Sequence, residues 1–309
     1  MKNASLALIM TGCLISSPAF ALNILLGNDD GYDHPNIRAL YQALKAQGHN
    51  VKIAAPFSEQ SARGGAFIYG RSVEVGRDTD PRYPDSYYLT TTERGICQSA
   101  ACKGQPVDIR ISGTPVMAIL MGLKHVMPKP DLVIIGPNPG NNLGAINQAS
   151  GTFNAASVAL LAGVPSIAVS TDLKETHTAQ FARRVAALVH GLDLHRQPDG
   201  AILPKGVGLN INFPPLSAIK GVRLTHIGSY VPFSAVYSED IGKLFPAAAG
   251  SPGITFEYNP APRPDQSDDE AVWLGKGYLT VSPFSTQAST LDTGATLTDV
   301  LPLLEATTP

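Results

Sequence analysis

The sequence predicts an α/β domain organised on a mainly parallel β-sheet, and three observations lead there. Short unbroken apolar runs such as Ile24-Leu25-Leu26 and Leu132-Val133-Ile134-Ile135 recur, the pattern of strands covered on both faces. Helical stretches alternate with them, the order of right-handed parallel crossovers. Each run stops on a loop rich in Gly, Pro, Asn or Ser, at the strand ends where open α/β sheets collect their sites. With 309 residues, 44% hydrophobic and 16% charged, the chain can bury a large core. A net charge of −2, without a Lys/Arg cluster, argues against a nucleic-acid polymer as partner.

Residues 1–21 read as a secretory signal peptide: Lys2 is followed by a mostly apolar stretch from Ala4 to Ser16, and the segment closes on an A-x-A pattern at Ala19-Phe20-Ala21. A membrane span would need about 20 apolar residues, and Thr11, Gly12, Ser16, Ser17 and Pro18 interrupt the run. Met10-Thr11-Gly12-Cys13 loosely resembles a lipobox, which leaves lipidation at Cys13 as the alternative. Cleavage predicts a periplasmic or secreted protein with no membrane attachment, starting at Leu22. It also leaves Cys97 and Cys102 as an even pair in an oxidising compartment, so a disulfide is expected between them.

The first strand, at Ile24-Leu25-Leu26, ends abruptly on Asn28-Asp29-Asp30-Gly31. Neighbouring side chains on a strand point to opposite faces, so Asp29 and Asp30 can serve one site only if the chain bends there, and Gly31 permits a bend. Asp33 as cap and Pro35 in the first turn predict a helix carrying Ile37, Leu40, Tyr41 and Leu44 and closed by Gly48. Val51 to Ala55 is the next strand, and Phe57 to Gly70 reads as a loop. Residues 66–111 read as an antiparallel excursion with β-rich runs at Phe67–Val75 and Tyr87–Thr92. A helix over Thr114–Val126 and a strand over Asp131–Ile135 follow. Gly136-Pro137-Asn138-Pro139-Gly140-Asn141-Asn142-Leu143-Gly144 reads as an irregular loop, and Ser150-Gly151-Thr152 opens an Ala-rich helix through Leu161. Ser166–Ser170 and Gly208–Phe213 are strands around a helix over Ala179–Leu194. Beyond Pro214 the rhythm turns to scattered β-like pieces, at Val222–Ile227, Ile254–Tyr258 and Tyr278–Ser282. The chain thus divides into a core over 22–214 and a β-rich segment over 215–309.

Asp29, Asp30, Ser61 and Asn138 all follow strands and therefore lie at one edge of the sheet. They offer oxygen donors alone, the preference of a hard divalent cation such as Mg²⁺ or Mn²⁺. Gly140, Gly144 and Gly151 permit close backbone approach, Asn142 is a candidate substrate-binding residue on the same loop, and the helix opening at Ser150, Gly151 and Thr152 offers free N–H groups to an anion. A cation beside an anion cradle predicts hydrolysis of a phosphate ester by an activated water. An aspartyl-phosphate route through Asp29 or Asp30 is the covalent alternative. No G-x-S-x-G elbow occurs, and Gly27-Asn28-Asp29-Asp30-Gly31 places negative charge where a dinucleotide fingerprint needs glycines.

These motifs, taken in order, resemble the survival protein SurE family of metal-dependent 5′/3′-nucleotidases with acid phosphatase relatives. The family's N-D-D-G is matched by Asn28-Asp29-Asp30-Gly31, its A-P-x(4)-S by Ala55-Pro56 with Ser61, its glycine-asparagine loop by residues 136–144 and its S-G-T by Ser150-Gly151-Thr152. Gly277-Tyr278 and Ser282-Pro283 match its closing segment. The resemblance implies a Rossmann-like, three-layer core with a C-terminal β-hairpin extension used for a homodimer or homotetramer. It implies metal ligands Asp29, Asp30, Ser61 and Asn138, with Asp29 and Asp30 catalytic, and a nucleoside monophosphate or other small phosphate ester as substrate. Tyr278, Leu279 and Val281 are expected among the intersubunit anchors. A nonenzymatic nucleotide or anion receptor that kept the loops is the competing expectation. Gly136-Pro137 stands where the family commonly has Ser-Ile, and the leader and the Cys97–Cys102 insert are unlike a cytoplasmic member.

Overall fold

The computed structural model describes residues 21–286; the expected signal peptide through Phe20 and Cys13 lie outside them. A ten-stranded sheet forms the middle layer. Its elements in chain order are β1 (Asn23–Gly27), α1 (Pro35–Ala46), β2 (Asn50–Pro56), β3 (Val73–Arg77), β4 (Ser86–Ile96), β5 (Pro106–Ser112), α2 (Pro115–Met121), β6 (Leu132–Pro139), α3 (Gly151–Leu161), β7 (Ser166–Thr171), α4 (Thr178–Leu194), β8 (Gly208–Asn212), β9 (Val222–Leu224), β10 (Phe233–Ser238), β11 (Gly253–Tyr258), α5 (Glu270–Gly275) and β12 (Leu279–Phe284). The strand order is β3-β4-β2-β1-β6-β7-β8-β12-β9, with β5 added on β4. From β4 to β8 every pairing is parallel. A Rossmann-like core of three layers is therefore the observed architecture.

Alternation along the central strands explains the unbroken apolar runs. Ile24 and Leu26 face one way, into a core with Ile37, Leu40 and Leu44 of α1 and Phe181 and Val185 of α4. Leu25 faces the other way, into a second core with Val116 and Ile119 of α2 and Ala155 and Ala159 of α3. A strand with both faces covered has no solvent side on which polar residues could alternate.

Several local expectations are corrected. Helix α1 is capped by His34 rather than Asp33, its side chain accepting from the Asn36 N–H at 3.3 Å. The run at Phe67–Val75 is strand only from Val73 onward. β4 extends well past Thr92, and its partner β5 was not expected. Cys97 and Cys102 form the expected disulfide at the tip of this β4–β5 arm. The loop expected at 136–144 begins as strand, because β6 runs through a register shift to Pro139 before leaving β7.

The segment beyond Pro214 is not a separate layer. β12 pairs antiparallel with β8 and parallel with β9, returning the chain to the main sheet, and only β10–β11 stands apart as a two-stranded hairpin. Tyr278, Leu279 and Val281, the expected interface anchors, lie at this return of the chain. Leu279 and Val281 pack against the first core, and Tyr278 meets Trp273 edge-on at 5.2 Å. Exposed apolar side chains in this segment include Tyr237, Ile254, Phe256 and Tyr258 on the hairpin and Val222 and Leu224 on β9.

Candidate active site

β2, β1 and β6 are neighbours and parallel, so the loops after them emerge together. The turn after β1 is closed by Asn28, whose side-chain amide donates to the Gly31 carbonyl at 2.8 Å. Gly31 has φ +111°, in the left-handed region, and a Cβ there would meet the Ser58 backbone at 3.4 Å. The turn thus packs directly on the loop after β2. That loop is tied back by the Gln60 N–H, which donates to the Asp29 carbonyl at 2.7 Å.

Asp29 is buried, and the start of α3 is built around it. The Thr152 hydroxyl donates to Asp29 Oδ1 at 2.6 Å. A Cβ on Gly151 would come within 2.9 Å of the Asp29 Cβ and 3.0 Å of Oδ2, so only glycine fits. The free N-terminus of a helix favours a negative group, and here a carboxylate of the chain itself takes that place. Asp30 is less constrained: its Oδ2 is buried without a hydrogen-bond partner, as is Asn28 Oδ1.

Burial raises the pKa of Asp29, with the Thr152 hydrogen bond working against it. Burial, followed by the charges of Asp29 and Glu59, pushes Asp30 up to about 8. A carboxylate pair in this condition lacks positive charge. A divalent cation fits the observation, since it would occupy the orphaned acceptors and favour both ionised forms.

Asn138 stands next to last in β6 in a buried position, and its side-chain nitrogen donates to the Gly140 carbonyl at 2.6 Å. That contact assigns the amide orientation and leaves the carboxamide oxygen as a candidate ligand. Ser61 lies on the same loop as Gln60, exposed, with its N–H donating to the Glu59 carboxylate. Among the described residues no group of three or more His, Cys, Asp and Glu side chains could hold a metal ion, so a metal here depends on neutral oxygens beside the two aspartates.

The residues expected to bind substrate have partners within the protein. Ser150 caps α3 by accepting from the Phe153 N–H, and Gly151 and Thr152 hold Asp29. The Gly140 N–H donates to the Thr171 carbonyl. Asn142 is fastened on three sides: its N–H donates to Asn212 Oδ1, its amide to Ser170 Oγ, and its carbonyl accepts from Asn210 and Asn212. It shapes the loop from beneath.

Sequence reading missed Glu59 and Glu270. Glu59 lies one loop residue from Gln60 and was overlooked beside Ser61. Glu270 opens α5, has no solvent exposure, and accepts from the Gly144 N–H at 3.0 Å, the Asn210 amide and the Ser282 hydroxyl at 2.7 Å. Burial pushes its pKa up to about 7, with the hydrogen bond from Ser282 the largest opposing effect. Its loop partner is 126 positions away, beyond the reach of any local pattern.

Asp30 and Glu270 both bind a proton more tightly in the folded protein than their ordinary values of 3.8 and 4.5 imply. Their contribution to stability is therefore complete below those values and is lost as pH rises through about 7 for Glu270 and about 8 for Asp30. The urea midpoint of metal-free protein is expected to fall between about pH 5.5 and about pH 8.5, and Asp30→Asn to flatten the fall. A midpoint that rises over this window would contradict the assignment.

A model of the family described as "Survival protein SurE" matches residues 24–232. A "5'-nucleotidase SurE 1" of Thermus thermophilus is 34% identical over 266 residues, covering 85% of this chain and 92% of the relative. An "Acid phosphatase" of Yarrowia lipolytica is 33% identical over 218 residues, covering 62% of this chain and 56% of that protein. The crystal structure of the SurE protein from Aquifex aeolicus shares the fold, with TM-score 0.64 and 24% identity over 91% of this chain and 99% of that one.

Proposed function

The chain belongs to the survival protein SurE family, and on that premise we propose that it is a metal-dependent phosphomonoesterase that hydrolyses nucleoside monophosphates with water as the nucleophile. The observation that carries this reading is the adjacent pair Asp29 and Asp30 at a strand end, the first buried and the second half-buried, both raised in pKa, with Asp30 Oδ2 left without a partner. The names of the relatives, 5'-nucleotidase and acid phosphatase, support the same chemistry.

Asp29, Asp30, Ser61 and Asn138 would hold Mg²⁺ or Mn²⁺, which supplies polarisation of the phosphoryl oxygen and a lowered pKa for a water. The chain's own residues do the positioning. Thr152 and Gly151 lock the Asp29 carboxylate, Asn28 and Gly31 fix the turn that presents Asp30, and Asn138 is oriented by Gly140. Burial and the charges of Asp29 and Glu59 favour the protonated form of Asp30, and a bound cation would favour its ionised form. Arg63, on the rim formed by the loop after β2, brings positive charge to the approach of a phosphate dianion. Phosphate release from an aryl phosphate, measured after chelation and again with added Mn²⁺, tests the reading; turnover that is absent with Mn²⁺ or indifferent to chelation would overturn it.

We further propose that the protein is exported and assembles through the β10–β11 hairpin. The leader pattern and the Cys97–Cys102 disulfide support export, and the exposed apolar side chains of the hairpin support assembly. Light scattering at micromolar concentration is expected to give a dimer or larger species, and Tyr237→Asp with Phe256→Asp to shift it toward monomer. A monomeric wild type would remove the hairpin from this role.

A further inference from the structure

The bond between Ala21 and Leu22, where the A-x-A pattern ends, is also where the fold begins. Ala21 is exposed and belongs to no strand. Leu22 is 1% exposed, and its side chain is part of the first core. Its carbonyl accepts from the Asn50 N–H at 2.9 Å. One residue on, the Asn23 N–H donates to Asp131 Oδ2 at 2.7 Å and the Asn23 carbonyl accepts from the Asp131 N–H at 2.8 Å. The backbone is thus fastened from the first residue after the bond.

The nitrogen of Leu22 has a partner of another kind. It donates at 3.2 Å to Nδ1 of His49, an imidazole 5% exposed just before β2. Accepting at Nδ1 assigns the ring proton to Nε2, which is buried without a partner. Burial favours the neutral ring. Two groups of α4 also act on it, Asp193 favouring its charged form and His190 opposing it. Asp193 is in turn held by Arg196 at 2.6 Å.

Hydrolysis of the Ala21–Leu22 bond adds the hydroxyl of water to the Ala21 carbonyl carbon and its proton to the Leu22 nitrogen. The products at neutral pH are a carboxylate on Ala21 and an α-ammonium on Leu22. One N–H of that ammonium keeps the direction of the present amide N–H, toward His49 Nδ1. The other two turn to the side that Ala21 vacates, which is open to solvent. The hydrogen bond to His49 then carries a charge and is stronger than the amide bond it replaces.

We propose that His49 is the binding site for the α-ammonium of Leu22 that leader removal creates, and that the cut is made before the chain folds. This rests on the proposal that the protein is exported, and it adds the order of events and the residue that seals the new terminus. A leader-removing endopeptidase needs the backbone on both sides of the bond accessible, and folding withdraws Leu22 and Asn23 into core and ladder. A cut further into the chain would take Leu22 out of the core. A cut further out would leave a tail and place no amine at His49.

Three measurements test it. Folded full-length precursor, given to a leader-removing peptidase in detergent, is expected to be cut at least about a hundredfold more slowly than the same chain added from urea. The α-amine of the protein beginning at Leu22 is expected to react with an amine-directed reagent at about pH 7 at least about tenfold more slowly than that of a peptide with the same first residues. An aminopeptidase selective for terminal leucine, followed by intact mass, is expected to remove Leu22 about tenfold faster from His49→Phe, which keeps a ring and lacks the acceptor, than from wild type. His49→Asn returns an acceptor oxygen near the place of Nδ1 and should restore protection. Equal cutting of folded and urea-diluted precursor overturns the order of events, and an α-amine as reactive as the peptide's overturns the binding site without recourse to a variant. Folded His49→Phe protected as well as wild type, or His49→Asn as labile as His49→Phe, overturns the role of His49. Exported protein that begins at Cys13 with added lipid, or still carries the leader, refutes the cleavage itself and this inference with it.

Discussion

Asp30→Asn is expected to release phosphate on the order of a hundredfold more slowly than wild type, or worse, while remaining folded. The substitution keeps the shape of the side chain and removes the charge, so it tests the pair's electrostatic role more directly than alanine would. Asp30 contributes an unpartnered oxygen and half of the negative charge that a divalent ion would meet. Without an ion, that charge is a burden on the fold, because burial and the neighbouring Asp29 and Glu59 disfavour it. Metal-free Asp30→Asn should therefore be at least as stable as metal-free wild type at neutral pH and above, and lose the stabilisation that Mn²⁺ confers on wild type. Asp29→Asn is expected to be as inactive, but its carboxylate also accepts the Thr152 hydroxyl, so part of its loss reflects a loosened start of α3. Ser61→Ala and Asn138→Ala should be milder, since water can replace a neutral ligand. Steady-state kinetics and urea unfolding, each with and without Mn²⁺, check the set; Asn variants that turn over at the wild-type rate would reduce the pair to an ordinary turn.

Glu270→Ala is expected to destabilise the protein by about 2–4 kcal/mol, although the residue touches none of the candidate ligands. Removing the carboxylate leaves the Gly144 N–H, the Asn210 amide and the Ser282 hydroxyl buried without that acceptor. The loss is less than the sum of those groups because the carboxylate is itself disfavoured by burial, as its rise to about 7 shows. Gly144 lies between Asn138 and the start of α3, so releasing it should also loosen the backbone that sets the two sides of the site. A reduction of kcat/KM of about tenfold is expected, with Glu270→Gln intermediate because one acceptor oxygen remains. Urea denaturation at about pH 5, where the folded protein still holds the Glu270 proton, gives a larger difference than at about pH 8, where that contribution has been lost. An alanine variant of wild-type stability would show that the network does not fasten the loop.

Sequence alone determined the central strands, the helices that flank them and the meeting of Asp29, Asp30 and Asn138 at one edge, because each rests on a local signal. An apolar run covered on both faces, a capping residue and a glycine-asparagine loop are written within a dozen neighbouring residues, and parallel crossovers then send successive loops to the same side. The Cys97–Cys102 pairing was legible for the same reason, being a matter of count and separation. Only the tertiary structure decided that β12 returns to pair with β8, that Leu279 and Val281 pack against the first core, and that Thr152 serves Asp29 rather than leaving a free anion site. The same holds for Glu270, whose environment is assembled from β6, β8 and β12 and their loops. Local patterning reports which face of an element is apolar, whereas the partner of a buried polar atom is chosen by the packing of distant segments that must leave no donor or acceptor unmet.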